Sequence, residues 1–514
     1  MNEGSFGDAY IPLDSRLPLH PVWKNLDLVL IEALSDIQGI YLVGGSVRDA
    51  LLGRIVHDID LVLPDKDTRR AARRIADAFD GDFYVLDDER NTARVILRRE
   101  NQKLVLDFAS LRGRDLEADL HERDFTINAM ALNLTPPRQL IDPLGGAKDL
   151  KERILRLCST TACQDDPLRV IRAIRLAIGF KLQMLPETSL AVRQAISLLD
   201  QVSVERKRDE LFRILEGNQV SPAVRLLDTF GVLERLLPEL GALKGVAQST
   251  PHTMDVWEHT LATLRGLETL LHLLVGEYDE DNSANLWMGL VVTYLGHYRH
   301  HFQEHFRRSL NPNRTLKGLL MLAALYHDSA KPATRTVDPD GRTRFFDHVV
   351  KSAELVSERA AALALSQVEI LRLYKIINHH MRIHFLAQEA GKPTRRTVHR
   401  FFREVREAGV DICLLSLADT LAVYGVTLSQ DLWQKELEVS RELLENWWER
   451  QVEVVNPPRL LTGDQVMKEF HLLPGPLIGK LLMELAEAQA SGEVSSREEA
   501  LSLIKRELKT YGEK

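Results

Sequence analysis

The chain has 514 residues, of which 45% are hydrophobic and 27% charged, the balance of a globular protein with about three or four domains. Its 66 lysines and arginines against 74 aspartates and glutamates give a net charge of -8, which excludes a uniformly basic nucleic-acid coat protein but allows a local basic groove. Its three cysteines are too few for a disulfide framework and favour a reducing compartment.

The N-terminus and the apolar runs bear on localisation. The first residues lack the basic start and apolar core of a signal peptide, and no apolar run approaches the ~18 residues that a membrane span requires. We therefore expect a cytoplasmic protein without membrane contact.

Residues 1–25 are punctuated by prolines, and we interpret them as a loose lead-in. Residues 26–150 then mix two periodicities. The stretches IYLVGG, HDIDLVL, ARVILR and LVLDFA favour strands, whereas TRRAARRIADAF has the apolar spacing of a helix. This segment is predicted to be an α/β domain.

After residue 150 the strand patterns nearly vanish and helical spacing dominates. We predict helical units at 151–248, 249–425 and 426–514, with an acidic surface loop at GEYDEDNSAN in the second of them.

The first candidate site begins where the strand of IYLVGG ends. Gly44 and Gly45 at a strand-to-helix turn let backbone N–H groups approach a phosphate closely. Arg48, in the first turn of the following helix, can pair with phosphate oxygens. The turn is therefore a candidate nucleotide-binding element.

Two aspartates follow on the next predicted strand. Asp58 and Asp60 are two residues apart, so both side chains project from one face and can hold Mg²⁺ ions for a two-metal phosphoryl transfer. Asp107 is a candidate third catalytic carboxylate on a neighbouring strand. The opposite face is predicted to be buried and carries Ile59, Leu61 and Leu63. Either piece alone is more typical of a turn or a solvated strand edge, but their order and separation favour a catalytic site.

With these residues the chain resembles the class II tRNA nucleotidyltransferase and bacterial poly(A) polymerase family. The glycine–arginine turn and the aspartate pair match its first motif, and DLHERDFTINAMAL is similar to its second. The resemblance implies that Arg123, Asp124 and Asn128 meet the phosphates and ribose of the nucleotide. Glu122 stands where the family commonly has an arginine, and DPLGGAKDL matches a third motif, the hinge between head and neck.

The segment DDPLRVIRAIRLA matches the fourth motif of the family, which selects the incoming base in place of a nucleic-acid template. The matching residues are Asp165, Asp166 and Arg169, and Arg172 follows on the same helix as a further nucleotide-binding candidate. A carboxylate can accept from the exocyclic amino group of C or A, and an arginine can donate to ring or carbonyl acceptors. Taken alone, Asp-Pro is a common helix start and the arginines could form a solvated helix face.

The resemblance also implies the architecture of the whole chain. The expected fold class is α+β, with a polymerase-β-like head followed by an all-helical neck, an HD domain and a helical tail. ERKRDEL is similar to a fifth motif, a structural brace through Glu205 and Arg208, and the last segment is similar to the C-terminus of longer bacterial members.

A second candidate site lies in the helical part of the chain. Histidines and aspartates recur there in an order that resembles the metal ligands of HD phosphohydrolases: His259, His327, Asp328, His348, His380 and Asp419. Such ligands suit Mn²⁺, Ni²⁺ or Fe, and a bound metal can activate water for attack on a phosphoester. Lys331 is placed to pair with a phosphate, and His380 fits the family spacing better than His379.

Two further polar stretches are candidates for solvated surface. His297, His301 and His305 recur on one helix face, which we interpret as exposed to water. Residues 391–409 carry six arginines and lysines against two glutamates, a net charge of +4 that favours either an RNA-contacting patch or a solvated helix.

These patterns together predict a template-independent nucleotidyltransferase that adds C, C and A to the 3′ end of tRNA, or acts on another RNA 3′ end, using CTP, ATP and Mg²⁺. A phosphohydrolase activity is a further expectation for the HD domain. One alternative is an A-adding, CC-adding or poly(A)-adding enzyme with the same chemistry. The other is an HD phosphohydrolase whose head only binds RNA, against which the intact aspartate pair argues.

Overall fold

The computed structural model describes residues 10–12, 33–34, 37–54, 58–64, 68–89, 91–99, 102–135, 139–276, 285–312, 314–389 and 391–512. The chain divides into two compact units, Met1–Val202 and Ser203–Lys514. The division falls inside the predicted neck at 151–248, and the bounds of the predicted domains stay predictions. Most of the predicted lead-in, and residues 277–284 of the predicted acidic loop, lie outside the described residues.

The first unit is built on an eight-stranded mixed sheet. Its strands are β1 (Tyr10–Pro12), β2 (Tyr41–Val43), β3 (Asp58–Leu63), β4 (Asp82–Asp87), β5 (Thr92–Arg99), β6 (Gln102–Ser110), β7 (Ala131–Asn133) and β8 (Gln139–Ile141). Their order is β1-β8-β7-β2-β3-β6-β5-β4, and β3 runs parallel to β6. The sequence predicts β2, β3, β5 and β6 but not β4, and the three-residue strands β1, β7 and β8 carry no pattern that would set them apart from a loop.

The strand register places the candidate catalytic residues side by side. Asp60 on β3 lies opposite Asp107 on β6, and Arg94 on β5 also lies opposite Asp107. The opposite face of β3 is buried as predicted, with Ile59 3%, Leu61 1% and Leu63 0% exposed. The apolar face of this strand therefore anchors the sheet and leaves the aspartates on its other side.

Short helices complete the first unit. They are α1 (Gly45–Leu51), α2 (Thr68–Ala78), α3 (Leu116–His121), α4 (Gly146–Glu152), α5 (Ala162–Asp165), α6 (Arg169–Gly179) and α7 (Pro186–Ala195). The predicted helix TRRAARRIADAF is α2, which packs against β5; its Ala71, Ala72, Ile75 and Ala76 are buried, whereas Ala78 is exposed. A two-stranded parallel ribbon joins β9 (Ile154–Leu155) to β10 (Gln183–Met184).

The second unit is almost entirely helical. Its helices are α8 (Val204–Leu215), α9 (Val220–Phe230), α10 (Leu233–Leu236), α11 (Val256–Val275), α12 (Leu286–Leu295), α13 (Arg299–Arg307), α14 (Leu316–Tyr326), α15 (Lys331–Thr334), α16 (His348–Ala362), α17 (Gln367–His379), α18 (Arg382–Gln388), α19 (Arg395–Val405), α20 (Ala408–Tyr424), α21 (Gln430–Glu449), α22 (Gly463–Phe470), α23 (Pro476–Ser491) and α24 (Arg497–Gly512). Two small antiparallel ribbons interrupt them: β11 (Ser309–Asn311) with β12 (Arg314–Thr315), and β13 (Arg335–Val337) with β14 (Thr343–Phe345).

Helix α20 forms the centre of this unit. It packs along α11 and also contacts α17. The segment Ala408–Thr427 is long and apolar enough to cross a membrane, but 67% of its most apolar window is buried inside the protein, as in the core helix of a globular domain.

The predicted solvated histidine face is wrong at two of its three positions. His305 is only 4% exposed, and its Nε2 lies 3.1 Å from Oδ2 of Asp411 on α20. His301 stacks on Trp448 with ring centroids 5.1 Å apart, whereas His297 is exposed. Helical spacing alone did not reveal that α20 and α21 pack against this face.

Candidate functional sites

The turn between β2 and α1 brings backbone close to two charged side chains. Gly44 has a φ of 74°, in the left-handed region that glycine adopts without strain. A Cβ at this position would lie 3.2 Å from Nη1 of Arg123 and 3.4 Å from Oδ2 of Asp60. A side chain here would therefore crowd the space between the candidate carboxylate and the candidate phosphate-binding arginine.

Ser46 fixes this turn to the strand that carries the aspartates. Its hydroxyl donates to the backbone carbonyl of Asp58 at 2.9 Å and accepts from the backbone N–H of Asp60 at 3.1 Å. The glycine turn and the two carboxylates are thus held as one local structure.

Three carboxylates crowd the exposed end of β3. Burial and the negative charge of Asp107 raise the pKa of Asp60 to about 6; Asp58 adds to the rise, while Arg123 and Arg48 oppose it. The side chain of Asp58 is exposed beside it. This surplus of negative charge is relieved when a hard divalent cation binds, so the residues present fit such an ion.

Asp107 is held by a residue that the sequence did not single out. Arg94 donates through Nε and Nη2 to the two oxygens of Asp107, at 2.7 and 2.8 Å. Asp107 is therefore a neighbour of Asp60, but both its oxygens are already engaged.

A continuous chain of hydrogen bonds links α1 to α6. Arg48 donates through Nη1 to Oδ1 of Asn128 at 2.6 Å, and Asn128 donates through Nδ2 to Oδ1 of Asp124 at 3.0 Å. Arg172 on α6 donates to Oδ2 of Asp124 at 3.0 Å. Burial disfavours the charged form of Asp124, but Arg172 and Asn128 outweigh burial and lower its pKa. Four predicted nucleotide-binding residues thus hold one another in place.

Arg123 is oriented by an acidic residue one helical turn earlier. Its Nε and Nη2 both contact Oδ2 of Asp119, at 3.0 and 2.8 Å, and Asp119 is only 1% exposed. The remaining nitrogen, Nη1, is the atom nearest to Gly44.

The predicted base-selecting residues are engaged locally in the structure. Arg169 donates to the backbone carbonyls of Glu122 and Ala162, at 2.8 and 3.2 Å. Asp166 accepts from the backbone N–H of Leu168 at 3.3 Å, as the helix-start alternative predicts. Asp165 is exposed and accepts from the hydroxyl of Thr161. Arg169 therefore ties the start of α6 to the residue before Arg123.

In the second unit, the six predicted metal ligands come together from five separate segments. Two groups share Asp328 and have ligand atoms within 4.8 Å of one another: His259, His327 and Asp328 in one, and Asp328, His348 and His380 in the other. Asp419 joins them, with its Oδ1 2.9 Å from Nε2 of His259.

Three of these imidazoles are oriented in the same way. In His327, His348 and His380, Nδ1 lies 2.7–2.8 Å from the backbone carbonyl three residues earlier. A proton on Nδ1 leaves Nε2 with its lone pair, the arrangement that supports a metal-binding histidine. The Nε2 of His380 is buried and finds no hydrogen-bond partner within the described part of the chain. The donor set therefore fits a divalent metal ion.

The carboxylates of this cluster, Asp328 and Asp419, favour a positive charge beside them. Burial opposes a charged imidazole, but Asp328 and Asp419 outweigh it and raise the pKa of His327 to about 10. Burial and the neighbouring His327 instead lower the pKa of His380 to about 4. A bound cation would supply the charge that His327 otherwise carries as a proton.

The cluster opens on a cleft of about 250 Å³. The other side chains that line it are Pro251, His252, Lys331, Phe345, Met381, His384, Thr420, Val423 and Tyr424. Lys331, which the sequence offered as a phosphate partner, is paired with Asp328 at 2.6 Å and with Gln248 at 2.7 Å.

The basic stretch 391–409 is largely neutralised within the protein. Arg400 and Arg403 on α19 both bind the carboxylate of Glu487 on α23, at 2.6–2.8 Å, and Glu487 is only 3% exposed. Arg396 contacts Glu493 at 3.3 Å. These arginines anchor α23, and the structure favours this structural role over the RNA patch.

Sequence reasoning missed Arg94, Asp119 and His252. Asp119 and Arg123 have the i, i+4 spacing of a helical ion pair, which could have suggested their contact. The pairing of Arg94 depends on strand register, and His252, with its ring centroid 5.3 Å from that of His259, depends on the fold of the loop before α11.

Three known family descriptions match the chain. The Poly A polymerase head domain matches residues 40–156, and the probable RNA and SrmB-binding site of polymerase A matches residues 181–243. The HD domain matches residues 300–423, a range that begins after His259.

Several relatives match along nearly the whole chain, among them the following two. An A-adding tRNA nucleotidyltransferase of Deinococcus radiodurans is 35% identical over 474 residues, covering 91% of this chain and 95% of the relative. A CC-adding tRNA nucleotidyltransferase of Thermus thermophilus is 31% identical over 471 residues, covering 90% and 92%. Among solved structures, a CCA-adding enzyme in an apo form has a TM-score of 0.58 at 22% identity over 97% of this chain and 98% of its own, which shows a shared fold.

Proposed function

The chain belongs to the tRNA nucleotidyltransferases, and from this premise we propose that its head transfers CMP or AMP from CTP or ATP to the 3′ end of tRNA, building the CCA end or a part of it. The observation that carries the proposal is the position of Asp60. It stands beside Asp58 and the Gly44 turn, with a pKa raised to about 6 by burial and neighbouring carboxylates. Such a site is poised for a cation and a triphosphate rather than for structural support.

In the proposed reaction, the 3′-hydroxyl of the tRNA attacks the α-phosphorus of the nucleotide and pyrophosphate leaves. Asp58 and Asp60 would hold Mg²⁺, which supplies charge neutralisation for the reacting phosphate when bound. The backbone of Gly44 and Gly45 and the Nη1 of Arg123 would contact the triphosphate, with Arg123 oriented by Asp119. Because Asp107 is already bound by Arg94, we assign it an electrostatic role on Asp60.

Base selection is proposed for the start of α6, where Asp165, Asp166 and Arg169 match the base-selecting motif. Arg169→Ala would remove a donor to the base and also release the carbonyl of Glu122. We expect discrimination against UTP and GTP to fall more than affinity for the triphosphate, because a site built to hydrogen-bond a base rejects others through unpaired polar groups. Full retention of discrimination in the variant would contradict this role.

The scope of addition is tested with three tRNA substrates, ending before the CCA sequence, after the first C and after CC, each with CTP or ATP alone. A CC-adding enzyme extends the first two with CTP, an A-adding enzyme extends only the third with ATP, and a CCA-adding enzyme does both. The two relatives described above, which match about nine-tenths of the chain, are named A-adding and CC-adding, which favours a partial activity. Failure to extend any of the three would contradict the proposal for the head.

For the second unit we propose a metal-dependent phosphohydrolase activity on phosphate at RNA ends, such as a 2′,3′-cyclic phosphate or a 3′-phosphate. The supporting observation is the pair of ligand groups that share Asp328, whose histidine and carboxylate donors would hold a divalent cation that activates water for attack on a phosphoester. The candidate metals are Mn²⁺, Ni²⁺ and Fe. An enzyme that extends 3′ ends benefits from clearing blocked ones, and both roles fit the expected cytoplasmic location. Hydrolysis that His327→Ala abolishes and Asp58→Ala retains is the expected result.

A further inference from the structure

His252 and His384 line the second-unit cleft outside the predicted ligand set, and His384 is the one held by a buried carboxylate. His384 on α18 lines the cleft together with Asp328, His348 and Asp419, and its side chain is 23% exposed. It is four residues after the candidate ligand His380, so one short segment of the chain places both rings at the same cleft.

A buried carboxylate fixes the ring of His384. Its Nδ1 lies 2.8 Å from Oε1 of Glu436 on α21, and Glu436 is 0% exposed. Burying a carboxylate is costly unless it is paired, and the ring of His384, together with Thr420, offsets part of this cost for Glu436. The pairing directs the other ring nitrogen away from α21.

Within the described part of the chain, the Nε2 of His384 contacts a surface side chain. The amide nitrogen of Gln388, an exposed residue one turn later on α18, lies 2.7 Å away and donates to Nε2 while the ring is neutral. When Nε2 carries the proton it becomes a donor, so the glutamine turns its oxygen toward the ring or moves aside. A flexible glutamine at the surface can move aside when a substrate enters, whereas the contact to Glu436 stays.

We propose that His384, oriented by Glu436, is the general acid that protonates the leaving-group oxygen when a phosphoester is hydrolysed in this cleft. The inference rests on the phosphohydrolase activity proposed above and adds a catalytic residue to it. Water attacks phosphorus, the bond from phosphorus to the leaving oxygen breaks, and the proton on Nε2 of His384 passes to that oxygen. The attacking water releases one proton to solvent, the products are an alcohol and phosphate, and His384 takes up a proton from solvent in turn.

The surroundings of His384 favour the protonated form that this step requires. The hydrogen bond to Glu436 raises the pKa of His384, burial opposes the rise, and the charges of Glu436 and Asp419 add to it. A neutral histidine at this place could not supply the proton, and a lysine could not be oriented by one carboxylate in the same way.

The test compares two substrates with different leaving groups, in the presence of added Mn²⁺. Adenosine 3′-phosphate releases a basic ribose oxygen that needs a proton, whereas p-nitrophenyl phosphate releases an oxygen that departs as an anion. We expect His384→Asn to lower kcat for adenosine 3′-phosphate by about 100-fold or more and for p-nitrophenyl phosphate by less than about tenfold. Glu436→Gln should change the ratio of the two rates in the same direction, because it leaves the ring without its orienting carboxylate.

The matched control is His379→Asn. His379 is the last residue of α17, and its Nε2 contacts the side-chain amide of Asn378. This control should leave both hydrolysis rates unchanged. His384→Gln serves as a second substitution of the same ring. Thermal unfolding of each variant verifies that it is folded. Equal losses on both substrates, or no loss, would overturn the general-acid role while wild-type hydrolysis still supports the phosphohydrolase. Absence of hydrolysis by the wild type would overturn the phosphohydrolase proposal and this inference with it.

Discussion

Replacing Asp60 by asparagine should stabilise the metal-free protein while abolishing nucleotide transfer. The pKa of Asp60 rises from its ordinary value of 3.8 to about 6 in the folded protein. Each tenfold change in a protonation equilibrium corresponds to about 1.4 kcal/mol, so keeping this carboxylate charged costs the folded state about 3 kcal/mol at neutral pH. Asparagine keeps the shape of the side chain and removes the charge.

The sign of the pH dependence follows from the direction of the shift. Between about pH 4 and pH 6 the folded protein binds more protons than the unfolded chain, so the wild type loses stability as the pH rises through this window. The advantage of Asp60→Asn should therefore be full at pH 7 and vanish near pH 4.

The assay is urea unfolding of the metal-chelated protein at pH 4 and at pH 7. Unfolding is monitored with a spectroscopic signal that reports on the first unit. The matched control is Asp58→Asn, which removes the exposed neighbouring carboxylate and should also abolish transfer, but with little change in stability. If Asp60→Asn is no more stable than Asp58→Asn at pH 7, the electrostatic argument for the cation site is wrong.

Three further changes test other parts of the structure. Arg172→Ala should lower the free energy of unfolding of the first unit by about 2 kcal/mol, because the buried Asp124 carboxylate loses its charged donor; a change within error would contradict that dependence. Glu487→Gln should lower the stability of the second unit by about 1 kcal/mol at pH 7, since the arginines it binds are partly exposed and screened by water. The arginines outweigh burial and lower the pKa of Glu487, so the wild-type advantage should shrink as the pH falls below about 4.5, and a constant difference would count against it. His380→Asn should reduce the Mn²⁺ retained by chelator-free protein in elemental analysis, whereas Asp58→Asn should leave the metal of the second unit in place.

The sequence predicted the parts of the head whose geometry is local. Gly44 and Gly45 lie within one turn, and Asp58 and Asp60 lie on one strand, so spacing alone determines that the members of each pair are close together. The contact between Arg94 and Asp107 depends instead on the register of two strands, which the alternation of either strand leaves undefined.

The errors in the helical unit have a common physical cause. Helical periodicity shows which residues share a face, but it does not show what packs against that face. His305 is buried because Asp411, 106 residues later, lies beside it. The positive stretch on α19 meets the carboxylate of Glu487, which is 84 residues after Arg403. Both partners are far away in sequence, so a local count of charges could not reveal either contact.

The hydrogen-bonded chain from Arg48 through Asn128 and Asp124 to Arg172 has a consequence for protein engineering. A graft of α6 from a relative with a different base preference would replace one end of this chain and leave the other three members unchanged. Because Asp124 is buried, a grafted helix without an arginine at the position of Arg172 would leave its carboxylate without that donor, and such a graft would lose stability for reasons unrelated to base preference. Productive chimeras should therefore exchange α1, the 124–128 segment and α6 as one module.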